Sequence, residues 1–156
     1  MFLEEKPRGT FGCLSLVKKW IGKEDFIVMN GDSLVDFDLS LLLSFHQKQG
    51  KTGTACLLQS NARGNYVVPI LNSKGQISKL QRKIVDPETD FICSGIYVFK
   101  PEIFKYDEPG DKFLLMEADV LPRLAKGGGL VGSKPKPSRF FDCGTLESWE
   151  KAILEW

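Results

Sequence analysis

Two aspartates stand out by their surroundings. In Phe26-Ile-Val-Met-Asn-Gly-Asp32, four apolar residues run into a turn, and Phe140-Phe-Asp142-Cys-Gly-Thr145 repeats that setting far down the chain. A short apolar run that stops at a turn reads as a buried strand of an α/β sheet. Ligands of such sheets bind just past the carboxyl ends of the strands, where Asp32 falls. Carboxylates there suit a hard cation and a phosphate ester. Magnesium keeps several waters and takes one or two protein carboxylates together with substrate phosphates. Judged singly, each Asp also serves as a turn residue. The shared setting, an apolar strand before and a helix soon after, makes Asp32 and Asp142 a candidate metal pair, provided that they meet in space.

The elements that must position them follow from spacing. After an extended stub broken by Pro7 and Gly9, Gly9-Thr10-Phe11-Gly12 opens a helical stretch with Leu14, Val17, Trp20 and Ile21 on one face. Two glycines and a Thr ahead of a helix make either a cap and tight turn or an entry where a ligand approaches backbone amides. Asp38 caps a helix over 39–49 whose inner face carries Leu39, Leu42, Leu43 and His46. His46 there reads as a hydrogen-bonded core histidine. Residues 54–59 form a second buried strand, and 66–71 and 76–81 a hairpin around Asn72-Ser-Lys-Gly75. Phe91–Phe99 is a long apolar strand, in which Gly95 demands a bulge or a ligand against the backbone. Pro101 starts a short helix. Residues 113–126 read as a helix with Leu115, Ala118, Leu121, Leu124 and Ala125 inward and a kink near Leu121 from Pro122. Short strands at 130–133 and 139–142 and a helix capped by Thr145 end the chain. Strands and helices alternate apart from the hairpin, which predicts one mixed α/β domain over residues 1–156.

Composition narrows the function classes. The chain has 156 residues, 42% hydrophobic and 26% charged, enough for a real core. A net charge of +1 argues against a nucleic-acid binder working by bulk electrostatics. The four cysteines form no C-x-x-C, and one histidine leaves little for zinc. Buried reduced thiols in a cytoplasmic protein are the expectation. No apolar run approaches the length of a membrane span, and no signal-peptide pattern opens the chain.

Taken together, Pro7-Arg-Gly-Thr-Phe-Gly-Cys-Leu14, Val28-Met-Asn-Gly-Asp32, Phe45-His46, Ser94-Gly-Ile-Tyr-Val-Phe99, Asp119-Val-Leu-Pro-Arg-Leu124 and Phe141-Asp-Cys-Gly-Thr145 resemble, in order and spacing, the sugar-1-phosphate nucleotidyltransferases. The short bacterial guanylyl-, thymidylyl- and cytidylyltransferases are most alike. The resemblance covers essentially the whole chain and rests on six motifs in register. It implies a Rossmann-like mixed sheet of the nucleotide-diphospho-sugar transferase type. It also implies a reaction joining a nucleoside triphosphate and a sugar 1-phosphate into a nucleotide-sugar and pyrophosphate. By this resemblance Asp32 and Asp142 hold Mg2+ on the α-phosphate, and Lys83 grips the sugar phosphate. Gly9, Thr10, Asn30 and Gly31 are nucleotide-binding candidates, and Ser94, Gly95 and Arg82 sugar-binding ones.

Three departures from the family pattern shape the expectations. The family's Gly-Gly-x-Gly-Thr-Arg-Leu loop, which cradles the triphosphate, has no counterpart here, so the chain reads as an N-terminally truncated form of the fold. Arg82 and Ile84 stand where a Glu-Lys-Pro motif has Glu and Pro. Tyr66-Val67-Val68 replaces Tyr-Gly-Val, and Cys93-Ser94-Gly95 replaces Asn-Ala-Gly, which narrows the sugar pocket. The first departure leaves about four negative charges of a triphosphate poorly balanced, so very weak or no transferase activity is expected of the chain alone. It also predicts an open sheet edge, where a second copy or a missing N-terminal segment would pair. The alternatives are a non-catalytic nucleotide or sugar-phosphate binder serving as a regulatory or assembly subunit, and a plain α/β domain.

Overall fold

The computed structural model describes residues 3–59, 66–82, 90–108, 112–136 and 139–156. In chain order come α1 (Gly9–Gly12), a 3-10 turn (Cys13–Leu16), α2 (Lys18–Ile21), β1 (Phe26–Met29), β2 (Ser33–Val35), α3 (Leu39–Gln49) and β3 (Gly53–Gln59). Then follow β4 (Val67–Leu71), β5 (Ile77–Arg82), β6 (Phe91–Phe99), a 3-10 turn (Pro101–Tyr106), a π turn (Met116–Val120), α4 (Leu121–Lys126), β7 (Leu130–Ser133), β8 (Phe140–Asp142) and α5 (Leu146–Glu155).

A four-stranded mixed sheet in the order β1-β6-β3-β7 forms the frame. β6 runs antiparallel to both β1 and β3, and β3 runs parallel to β7. The two central strands are buried along nearly all their length because both their faces are covered, and they are mostly apolar, with Thr54 and Ser94 as buried polar exceptions. Ala55 and Leu57 of β3 and Tyr97 and Phe99 of β6 point to one side, into a core closed by Ile103, Val120, Leu121 and Leu124. Cys56, Leu58, Ile96 and Val98 point to the other, where Leu42 of α3 meets them. The β4–β5 hairpin packs beside this frame, and Gln76 makes a bridge to Val131 of β7. No helix among the described residues is long and apolar enough to cross a membrane.

Several expected details hold. Asp38 Oδ1 accepts the Ser40 amide at 2.8 Å and caps α3. Thr145 and Ser148 form a reciprocal capping box on α5. Cys56 and Cys93 are buried free thiols, with Cys56 pushed up to about 11 by burial.

Three expectations are corrected. β1 is an edge strand, and its alternation leaves Ile27 36% and Met29 42% exposed, so four consecutive apolar residues did not mean two covered faces. Trp20 is 78% exposed: the segment from Gly9 to Ile21 winds in three short pieces, and Leu14, Val17, Trp20 and Ile21 border an open groove beside β1 instead of a fully buried face. Of the expected helix over 113–126, residues 113–115 are not helical. The chain enters through a π turn, and the switch to α winding falls at Leu121, just ahead of Pro122. That winding turns Met116 and Val120 inward and leaves Ala118 exposed, while Leu114 is buried from the extended stretch ahead of it.

Candidate functional site

Asp32 and Asp142 come together through a two-stranded antiparallel ribbon. β2 pairs with β8 so that Ser33 lies opposite Asp142. The Cys143 amide donates to the Asp32 carbonyl at 2.7 Å. The Gly144 amide donates to Asp142 Oδ1 at 3.0 Å. A Cβ added at Gly144 would stand 3.0 Å from Asp142 Oδ1 and 3.7 Å from Asp32 Oδ2, so both carboxylates reach into one small volume.

The hydroxyl of Tyr66 is hydrogen-bonded to Asp142. Burial, then the hydrogen bond to Asp142 and the charges of Asp142 and Asp32, push its pKa up to about 12, so it stays a protonated donor that orients the carboxylate. On the other side the end of β1 is laced to the middle of β6. The Asn30 amide donates to the Gly95 carbonyl at 2.9 Å, and Ser33 Oγ donates to the Ser94 carbonyl at 3.4 Å. Gly95 has φ +78°, and a Cβ there would stand 2.5 Å from Asn30 Nδ2. The register between β3 and β6 shifts at this place. The glycine is therefore demanded by an irregular strand with a side chain pressed against it.

These groups line a cleft of ≈ 140 Å³. Asn30, Asp32, Asp142, Ser94 and Gly95 all face it, as does Val67, the β-branched residue expected to narrow it. Arg82 stands beside it through an ion pair of 3.2 Å to Glu117, which lines the cleft. Ser94 spends its own hydroxyl on the Cys56 carbonyl at 3.0 Å. Gly9 and Thr10 do not line the cleft. Gly9 lies against the Leu114 backbone, which a Cβ would strike, and Thr10 Oγ1 accepts the Met116 amide at 2.8 Å. Gly31 sits in the turn between Asn30 and Asp32 with open space around it. Lys83 lies outside the described residues. His46 lies in the core, with Nδ1 2.8 Å from Thr54 Oγ1 and Nε2 3.8 Å from Asp25.

Among the cleft residues that the sequence did not single out are Ser33, Tyr66 and Glu117. Tyr66 was visible only as part of a drifted tripeptide. Glu117 was hidden by the helical reading of 113–126, which turned its neighbours Leu115 and Ala118 inward. A π turn has no periodicity of its own that would have revealed it.

The donor set suits a magnesium ion. Among the described residues no cluster of three or more His, Cys, Asp or Glu could hold a metal. The two converging carboxylates are what an ion that keeps its waters and completes its shell with phosphate oxygens requires.

Residues 1–155 match the model of the nucleotidyl transferase family, and the chain belongs to that family. It is 31% identical over 132 residues to a mannose-1-phosphate guanyltransferase of Aspergillus fumigatus, covering 82% of this chain and 36% of that one. It is 29% identical over 166 residues to mannose-1-phosphate guanyltransferase beta-A of Xenopus laevis, covering 98% of this chain and 46% of that one. The chain thus spans less than half the length of these relatives. Among solved structures, HddC from Yersinia pseudotuberculosis superposes with a TM-score of 0.81 at 25% identity, covering 97% of this chain and 64% of that one. A Bacillus anthracis protein described as a candidate glucose-1-phosphate thymidylyltransferase, in complex with sucrose, gives a TM-score of 0.83 at 19% identity, over 97% and 62% of the two chains. The mixed α/β fold is therefore that of these nucleotidyltransferases.

Proposed function

We propose that this chain is the part of a sugar-1-phosphate nucleotidyltransferase that carries the metal carboxylates and the sugar side of the site. The reaction would pass a nucleoside monophosphate from a nucleoside triphosphate to a sugar 1-phosphate, with release of pyrophosphate. The observation that carries this reading is the convergence of Asp32 Oδ2 and Asp142 Oδ1 on one point. The attacking phosphate oxygen and the triphosphate repel each other, so catalysis is positioning plus charge neutralisation. A magnesium ion held there would supply that neutralisation. Asp32 and Asp142 would hold it, Tyr66 and the Gly144 amide fix the Asp142 carboxylate, and Asn30 shapes the wall. Lys83 is the candidate grip on the sugar phosphate. Guanine or thymine as base, and a hexose or heptose 1-phosphate, fit the general likeness. A cytoplasmic site of action fits the free thiols.

A second reading, a binder without turnover, is favoured by charge. Glu117 joins the two aspartates in the cleft, and no Lys or Arg is among its described lining residues. A pyrophosphate-release assay with magnesium, each nucleoside triphosphate and hexose 1-phosphates separates the two. Release abolished by Asp32→Asn or Asp142→Asn supports the enzyme. Nucleotide binding that needs magnesium, without release, supports the binder. Magnesium-dependent nucleotide binding that survives both substitutions would overturn the site in either reading.

A further inference from the structure

The third acid of the cleft differs from the other two. Glu117 comes from the π turn, and both its oxygens are already engaged. Oε1 accepts the hydroxyl of Tyr97 at 2.7 Å, and Oε2 accepts Arg82 Nη2 at 3.2 Å. Tyr97 is fully buried, and burial, reinforced by Cys93 and Glu117, holds its hydroxyl well above the ordinary phenol range, so it stays protonated and donates to Glu117. The Glu117 side chain is 24% exposed, and the solvent it meets includes that of the cleft. The turn is itself pinned on both sides. Thr10 Oγ1 accepts the Met116 amide at 2.8 Å, and Asp119 Oδ2 accepts the Leu115 amide at 2.7 Å. A carboxylate fixed this firmly is preorganised for recognition.

Its charge is already offset by a guanidinium, and no third acid joins it in a metal-binding cluster among the described residues. What remains is one further lone pair on each oxygen, both hydrogen-bond acceptors. That arrangement suits neutral O–H donors, above all two adjacent hydroxyls that reach both oxygens at once. It repels a phosphate. Two other polar groups of this wall are already engaged, the Ser94 hydroxyl with the Cys56 carbonyl and the Gly95 carbonyl with the Asn30 amide.

We propose that Glu117 is the residue that reads the hydroxyls of the sugar, held in place by Tyr97 and Arg82 as positioning residues. This rests on the reading of the cleft as a sugar-phosphate site and adds the group that distinguishes the sugar from bare phosphate.

Calorimetry on the full chain tests it with glucose 1-phosphate, mannose 1-phosphate, inorganic phosphate and magnesium–GTP as separate probes. Glu117→Gln keeps the shape and removes the charge. It is expected to weaken binding of at least one hexose 1-phosphate by about tenfold or more, the loss of a charge-assisted hydrogen bond. Inorganic phosphate and magnesium–GTP should change less than about twofold. A 2-deoxy or 3-deoxy hexose 1-phosphate that binds the parent weakly should show no further loss in the variant. Tyr97→Phe, which keeps the ring in the core, should reproduce the selective loss more weakly and serves if Glu117→Gln does not fold. Hexose 1-phosphate affinity unchanged in both variants overturns the proposal, as does a parental chain that binds no hexose 1-phosphate. Hexose 1-phosphate bound selectively through Glu117, with no binding of any magnesium–nucleotide, supports it while removing the transferase reading.

Discussion

At Gly95 one residue joins the sheet to the cleft. Its φ of +78° is one that L side chains rarely adopt, and the nearest atoms to an added Cβ belong to Asn30. Gly95→Ala should therefore cost about 1–3 kcal/mol, from backbone strain and from displacing Asn30. Urea titration measures this, and a loss below about 0.5 kcal/mol would show that Asn30 yields freely. His46 tests the core in another way. Burial lowers its pKa from 6.5, with Asp25 opposing and Lys100 assisting, while Thr54 meets its Nδ1. A histidine harder to protonate when folded makes the unfolded chain the better proton binder. Stability is then full above about 6.5 and falls as pH drops below that value. His46→Asn should flatten the stability profile between that value and the lowered folded pKa, read as denaturant midpoints in a pH series. Parallel profiles for the two proteins would contradict the assignment.

Short elements carry most of the site. The ribbon of β2 and β8 has three residues a side, and the π turn five. Thr10→Val keeps the shape of the side chain and leaves the Met116 amide without its acceptor. A loss of about 1–2 kcal/mol in unfolding free energy is expected, together with weaker sugar-phosphate binding as Glu117 loosens. Equal stability of variant and parent would mean that the π turn holds without this anchor. The same elements explain what could be read in advance. β3, β6 and α3 were legible because long apolar runs and helical spacing follow directly from covered faces. That Asp32 and Asp142 belong together was legible from their like settings, but the device that joins them was not. Ser33-Leu34-Val35 is too short for alternation to show, and its partner lies at the far end of the chain. Glu117 was out of reach for the converse reason, because the expected helix implied a different inward face.

Across the whole molecule, the sheet is unequally finished. β7 borders the hairpin through Gln76, whereas among the described residues no strand pairs with the outer edge of β1. Beside that edge lies a groove of ≈ 380 Å³ lined by Leu14, Val17, Trp20, Ile21 and the residues of β1. An exposed edge with apolar neighbours is a template for another strand, since pairing satisfies backbone groups and covers side chains at once. We expect two copies of this chain to associate through β1. Ile27 and Met29 are the apolar side chains that such pairing would cover, and a lysine at either would place a charge where burial is required. Sedimentation across a hundredfold range of concentration should show reversible self-association of the parent and a monomer for Met29→Lys. Because Met29 stands at the edge, away from both cores, the variant should keep the parental circular dichroism spectrum and its unfolding midpoint within about 0.5 kcal/mol. A parent that stays monomeric throughout, or a Met29→Lys variant that associates as well as the parent, would show that this edge is not where copies meet.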